Sequence, residues 1–254
     1  MILEKLRFYW FVFFGIILVR YFLVAGGAYW FFYLHVGKSS AQAKRAMQAA
    51  SWPSIRRDVE LSILSSMFFA LCATLIMSAY DAGLTLLHTT ACKHELWYAG
   101  FSFIGVLFLQ DLYFYWVHRA FHHPLLFKWL HWGHHQSGVP TPWTSFAFDL
   151  PEAIVQGLFF VGIVFLIPLH VVTFIAVLIT MTVWSVLTHL GFEPFTSSSL
   201  CRWFGRWFIG PTHHLIHHRK YRLHFGLYFT LWDRLLNTQD PDYEDEFAFP
   251  STGK

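Results

Sequence analysis

His118-Arg119-Ala120-Phe121-His122-His123, then His131-Trp132-Gly133-His134-His135, and some eighty residues later His213-His214-Leu215-Ile216-His217-His218 are the stretches that decide how this chain of 254 residues is read. Reduced to spacing they are H-x-x-x-H (118, 122), H-x-x-H-H (131, 134, 135) and H-x-x-H-H again (214, 217, 218). Helical residues three and four apart share a face, so each pattern aims its imidazoles at one point, as metal ligands must. The chain holds 16 histidines. A shuffled sequence of that composition would carry on the order of 0.06 copies of H-x-x-H-H, and two are present. Ordinary interfacial histidines without metal are therefore a poor account of the three patterns.

Together with His189 the patterned set offers nine imidazoles. One ion takes roughly four to six ligands, so two metals are the economical reading. Imidazole suits Zn, Cu, Fe and Ni, which leaves the metal open. The E-x-x-H motifs of soluble carboxylate-rich di-iron bundles are absent.

Composition sets the solvent. The chain is 56% hydrophobic, 20% aromatic and only 13% charged, far from a soluble domain. A formal charge of +3 with no basic run interleaved with aromatics excludes nucleic acid as a partner. Cys72, Cys92 and Cys201 form no C-x-x-C pair and imply no redox role.

Taken outward from the histidines, the chain reads as membrane spans. A first runs from Phe8 to about Leu34, a second from Val59 to Tyr80, and a third from Leu96 to Val117, which delivers the chain into His118. Residues 35 to 58, with Lys38, Lys44, Arg45, Arg56 and Arg57 around a helix-prone Ala41–Ala50 stretch ended by Pro53, read as an interfacial connection. After Pro140, Pro142 and Asp149-Leu150-Pro151-Glu152, the apolar residues 153 to 190 form a helical hairpin divided near Pro168. Arg20 interrupts the first span at a cost of about 3 kcal/mol and is expected to snorkel, pair within the bundle or meet lipid phosphate. His35, His88, His94 and His170 read as interfacial or loop residues, and Trp and Tyr at span ends as interface anchors.

This topology puts every patterned histidine and His189 on one side of the bilayer. Fourteen of the 18 Lys and Arg fall on that side, so the site is expected on the cytoplasmic face, in a bacterial inner membrane or the endoplasmic reticulum. The expected fold is all-α: an integral-membrane bundle of four to five spans with a cytoplasmic helical cap holding a histidine-rich dimetal site. Residues 1–95 would be N-terminal spans and connecting loops, and residues 96–254 the catalytic region. Asp111, seven residues or two turns before His118, is the first candidate for a group supporting the ligands, ahead of Asp149, Glu152, Glu193 and Asp233.

His118-Arg119-x-x-His122, His131-x-x-His134-His135, Pro151-Glu152, His214-x-x-His217-His218, and Phe225-Gly226 followed by Trp232-Asp233-Arg234-Leu235 resemble the fatty acid hydroxylase and sterol desaturase superfamily over roughly residues 100 to 240. The resemblance implies a membrane-bound non-haem di-iron oxidoreductase that uses O2 and two external electrons to hydroxylate or desaturate a lipid, a sterol or an acyl or alkyl chain. It implies His118, His122, His131, His134, His135, His189, His214, His217 and His218 as ligands of two irons, with zinc able to replace them in purified material. His123 and His213 flank the boxes and remain further candidates. So does His224, which stands where relatives often carry asparagine, while Asn237 stands where many carry glycine. The implied partners are the bilayer lipid and a separate electron donor of cytochrome b5, ferredoxin or reductase type. Arg202, Arg206, Arg219, Lys220 and Arg222 are candidates for its docking face, or for contact with lipid headgroups. The rival reading, a histidine-rich metal transporter or metal-binding protein, needs polar ligands within the spans. Those offer little beyond Arg20, Gln110 and Asp111.

Overall fold

The computed structural model describes residues 2–35, 41–90, 95–194 and 199–243, and the described chain is mainly helical, with two short strands. α1 (Ile2–Ala28) widens into a π-helical segment over Tyr29–His35. It is followed by α2 (Ala41–Ala49) and α3 (Trp52–Asp81). The Ser51 side chain caps α3 by accepting from Ser54 N, and Pro53 sits in its first turn, where a missing N–H costs nothing. The second span thus begins well before Val59. The Arg56-Arg57-Asp58 group read as a connection is its first two turns.

α4 (Glu95–Phe121) runs straight through His118. Two short helices follow, α5 (Pro124–Leu130) and α6 (Trp132–His135), then a 3-10 turn over Pro142–Phe146. The expected hairpin is α7 (Leu150–Leu166) and α8 (Val171–Thr188), broken at Ile167-Pro168. Beside the break, β2 (Leu169–His170) pairs in parallel with β1 (Leu87–His88) from the loop after α3. The end of the described chain carries α9 (Ser199–Trp207), α10 (Pro211–Lys220) and α11 (Leu231–Leu235). Lys38, Cys92, Lys93, His94 and the end of the acidic tail lie outside the described residues.

The segments Ile2–His35, Trp52–Asp81, Leu96–Phe121 and Val171–Thr188 are long and apolar enough to cross a bilayer, and α7 is a shorter apolar helix beside them. Large side chains on their outer faces, among them Phe8, Leu71, Phe101 and Val172, are exposed, while Asp58, Asp111 and Glu152 are buried. Apolar residues outward and charges inward is the inverse of a soluble protein and marks an integral membrane protein.

Two buried clusters hold the bundle. Ile76, Val106, Phe160, Val164, Phe174 and Val177 join α3, α4, α7 and α8 at the end away from the histidines. Ile17, Tyr21, Ala25, Ala70, Phe146 and Val186 tie α1 to α3, α8 and the 3-10 turn. Gly157 of α7 meets Cys72 of α3 so closely that a Cβ there would lie 2.6 Å from the thiol sulfur. At the histidine end, Asp58 accepts from Ser137 Oγ at 2.7 Å and Thr144 Oγ1 at 2.7 Å and pairs with Arg57 at 3.2 Å. That carboxylate moors the loop after α6 to the start of α3.

Candidate metal centre

α4, α6, α8 and α10 converge at one end of the bundle. Their imidazoles gather as two groups, His118, His122, His131, His135 and His217, and His134, His189, His214 and His218. Within each group the ligand nitrogens lie within 4.8 Å of one another. The four-residue pairs stay together, His118 with His122 at the end of α4, His131 with His135, and His214 with His218 on α10. Each H-x-x-H-H triad is split, however, His134 and His217 joining the other group, so the three imidazoles of a triad do not meet at one point as their spacing suggested. The adjacent pairs, 134 with 135 and 217 with 218, diverge by about 100° on a helix and so serve different groups. His189 closes α8 and reaches the second group.

The donor chemistry fits metal ions. His118 Nδ1 faces Phe225 O at 3.1 Å, His134 Nδ1 faces Ala147 O at 3.2 Å, and His189 Nδ1 faces Ser185 O at 2.6 Å. His217 Nδ1 faces Leu223 O at 2.7 Å, and His131 Nδ1 faces Glu152 Oε2 at 2.7 Å. A carbonyl or carboxylate only accepts, so each Nδ1 carries the proton and each Nε2 is left with a lone pair. Yet Nε2 of His118 and His131 stand 2.9 Å apart, and Nε2 of His134 and His189 3.3 Å apart. Paired lone pairs repel, and no hydrogen bond can join them. The buried Nε2 of His122 also lacks a partner. A cation at the focus of each group satisfies all of these atoms.

Burial keeps the set neutral. It drives the histidine pKa from 6.5 to about 2 at His122 and to about 4 at His189 and His217. His131, His134, His135, His214 and His218 lie well below 6.5 for the same reason, with neighbouring imidazoles adding to the effect. Protons therefore compete weakly with a metal at neutral pH.

The three further histidine candidates lie outside both groups. His123 caps α5, its Nδ1 accepting from Leu125 N at 3.4 Å. His213 packs edge-on against His224, ring centroids 3.8 Å apart, and its Nε2 faces Asp233 Oδ2 at 3.5 Å. His224 Nε2 accepts from Asp240 N at 2.9 Å.

Among the carboxylates of the described residues, Glu152 is bonded to a grouped histidine, His131. Asp111 stands one step back: it accepts from Leu227 N at 2.9 Å and Tyr228 N at 2.6 Å, fixing the segment whose Phe225 carbonyl holds His118. Asp233 braces the same segment through Phe225 N and Gly226 N, and burial raises its pKa to about 6. Asp149 accepts from Gly133 N at 2.6 Å, and a Cβ on Gly133 would collide with that carboxylate, so glycine is required between His131 and His134. Glu193 accepts from Thr212 at the start of α10. The backbone carbonyls that fix the imidazole tautomers had no signature in the sequence, because any residue supplies one.

Both groups border a cavity of about 1140 Å³ that extends away from them between α1, α3, α7 and α8. His118, His131, His134, His189 and His214 line its histidine end, and its far end is walled by side chains such as Phe11, Met77 and Leu178. A mostly apolar chamber with ligands at one end offers no relay of sites for an ion crossing the bilayer. Arg20 has no ion-pair or hydrogen-bond partner among the described residues; half-buried, it lines this cavity, its guanidinium 5.9 Å from the Phe146 ring centroid.

The family model described as fatty acid hydroxylase matches residues 103–238. The human lathosterol oxidase is 28% identical over 226 residues, covering 85% of this chain and 69% of that protein. The rat lathosterol oxidase is 36% identical over 141 residues, 53% of this chain and 43% of its own. A probable Delta(7)-sterol 5(6)-desaturase of Neurospora crassa is 28% identical over 234 residues, 91% of this chain and 63% of its own. The chain thus spans between 43% and 69% of the length of these relatives. No solved structure matches it.

Proposed function

The chain belongs to the fatty acid hydroxylase family, and from that premise we propose that it is a membrane-bound di-iron oxidoreductase that uses O2 and two electrons to hydroxylate or desaturate a lipid. The observation that carries this reading is the opening of two neutral imidazole groups onto an apolar cavity. Family membership supports iron over zinc, with His118, His122, His131, His135 and His217 holding one ion and His134, His189, His214 and His218 the other. Bound there, two irons supply oxidation of an unactivated C–H bond by O2. Hydroxylation consumes O2, two electrons and two protons and yields one water; desaturation consumes the same and yields two.

The residues of the chain do the rest. Glu152 and the four carbonyls keep the Nδ1 of His118, His131, His134, His189 and His217 protonated and their Nε2 atoms aimed inward. The apolar walls exclude water and hold a hydrocarbon skeleton against the histidine end. The names of the relatives support a sterol as substrate, entering laterally from the bilayer, with an acyl or alkyl chain as the other lipid class.

Electrons are supplied by a separate donor of cytochrome b5, ferredoxin or reductase type. Exposed Arg219 and Arg222 beside the site support an acidic one; the Arg202 side chain lies outside the described residues. The Lys and Arg excess on the histidine side supports a cytoplasmic orientation, in a bacterial inner membrane or the endoplasmic reticulum.

Mass spectrometry of lipids from aerobic host membranes tests the reading, with wild type set against His134→Ala. A wild-type lipid with one added oxygen identifies a hydroxylase, and one lacking two hydrogens a desaturase. Turnover retained in His134→Ala would sink the metal assignment.

A further inference from the structure

We infer that Arg20 is the head-group anchor of the substrate cavity, selecting lipids that bear an acceptor oxygen, hydroxyl or carboxylate, and so setting which carbon meets the histidine groups. The inference rests on the oxygenase reading for the identity of the ligand as substrate, but not for the binding site itself.

Arg20 is a cation in the interior of α1, between Val19 and Tyr21. Its guanidinium has no hydrogen-bond or ion-pair partner among the described residues, its Nε is buried without an acceptor, and it lies over the Phe146 ring. A guanidinium offers five donors and accepts nothing, so a ring face leaves most of its demand unmet. An uncompensated cation in an apolar chamber is held at a cost, and an oxygen acceptor on the occupant removes it. A second orphan donor, the buried Nε2 of Gln156 on α7, lines the same cavity.

From Arg20 toward the metal groups the wall is a run of rings. Phe146 touches Phe69 at 5.9 Å between centroids, Phe69 touches Phe148 at 6.1 Å, and Phe148 stacks on His134 at 5.6 Å. An anchored lipid therefore lays its skeleton along aromatic faces from Arg20 to the oxidising end. A hydrocarbon lacking the oxygen leaves Arg20 unsatisfied, and a site built around a polar partner rejects the analogue that lacks it far more strongly than a purely apolar pocket does.

The test is competitive lipid binding to metal-loaded wild type, Arg20→Met and Arg20→Lys in nanodiscs, read by native mass spectrometry. The probes are matched pairs, cholestanol against cholestane and stearic acid against octadecane. Wild type is expected to hold the oxygenated member of at least one pair about ten- to a hundredfold more tightly; the pair that discriminates tells hydroxyl from carboxylate. Arg20→Met should erase the preference at unchanged metal content and melting temperature, and Arg20→Lys should restore part of it. If Arg20→Met does not fold, Arg20→Gln takes its place. Equal binding within both pairs, or a preference that survives the loss of Arg20, overturns the anchor. Because the readout needs no turnover, a wild type that discriminates but yields no oxidised lipid would defeat the oxygenase reading alone.

Discussion

His122 and His123 are adjacent in sequence, yet one sits in a metal group with an orphaned Nε2 and the other caps a helix. His122→Ala should cost the protein bound metal, measured by elemental analysis per chain. His123→Ala should keep both ions and lose about 1 kcal/mol of stability, the ordinary value of a cap, in a thermal melt. Glu152 belongs at this scale as well. Glu152→Ala removes the acceptor that fixes the His131 tautomer, and metal affinity against a chelator should fall about 10- to 100-fold; an unchanged affinity would make that carboxylate structural only. Spacing made the grouped histidines legible, because three- and four-residue intervals are geometry written in sequence. It did not separate His123, His213 and His224 from them, since a histidine beside a box reads the same whether it ligates, caps or packs. Two departures from the family pattern acquire a cause: His224 and Asn237 have φ of 65° and 52°, the left-handed region that asparagine and glycine enter most readily. His224 adopts it while its ring accepts from Asp240 N.

The elements that matter most for the site are short, and short elements are the hardest to foresee. The long apolar segments announced themselves by hydropathy, and the α7–α8 hairpin by its proline break, but α5, α6 and the 3-10 turn are held by tertiary contacts rather than by any periodic pattern. The start of α3 was misplaced because Arg56, Arg57 and Asp58 read as a polar connection, although Ser51 and Pro53 carry a helix-start signal. Burying Asp58 explains its presence: Ser137, Thr144 and Arg57 satisfy it and so fasten the loop after α6 to the bundle. Asp58→Ala strips three donors of their acceptor. We expect a loss of about 2–4 kcal/mol and loosening of residues 136–144, measured as a lower melting temperature and faster hydrogen exchange confined to that loop.

For the molecule as a whole, the cavity is the feature the sequence least foretold, because a void is made by residues distant in sequence failing to meet. Its length should set what it accepts. Ala73 lines it on α3, and Ala73→Phe should shorten the chamber, leaving metal content intact while shifting products toward smaller lipids or abolishing turnover of rigid ones; an unchanged product profile would place the substrate elsewhere. The provenance of the ligands has a further consequence. The first group draws on residues from His118 to His217, and the second on His134, His189, His214 and His218. Neither set is complete in a nascent chain until the hairpin has entered the bilayer and α10 has emerged from the ribosome. A half-translated polypeptide therefore holds no finished metal site, and under the proposed chemistry oxygen activation arises only when its containing walls already exist, which spares the growing chain and its surrounding lipids from misdirected oxidation.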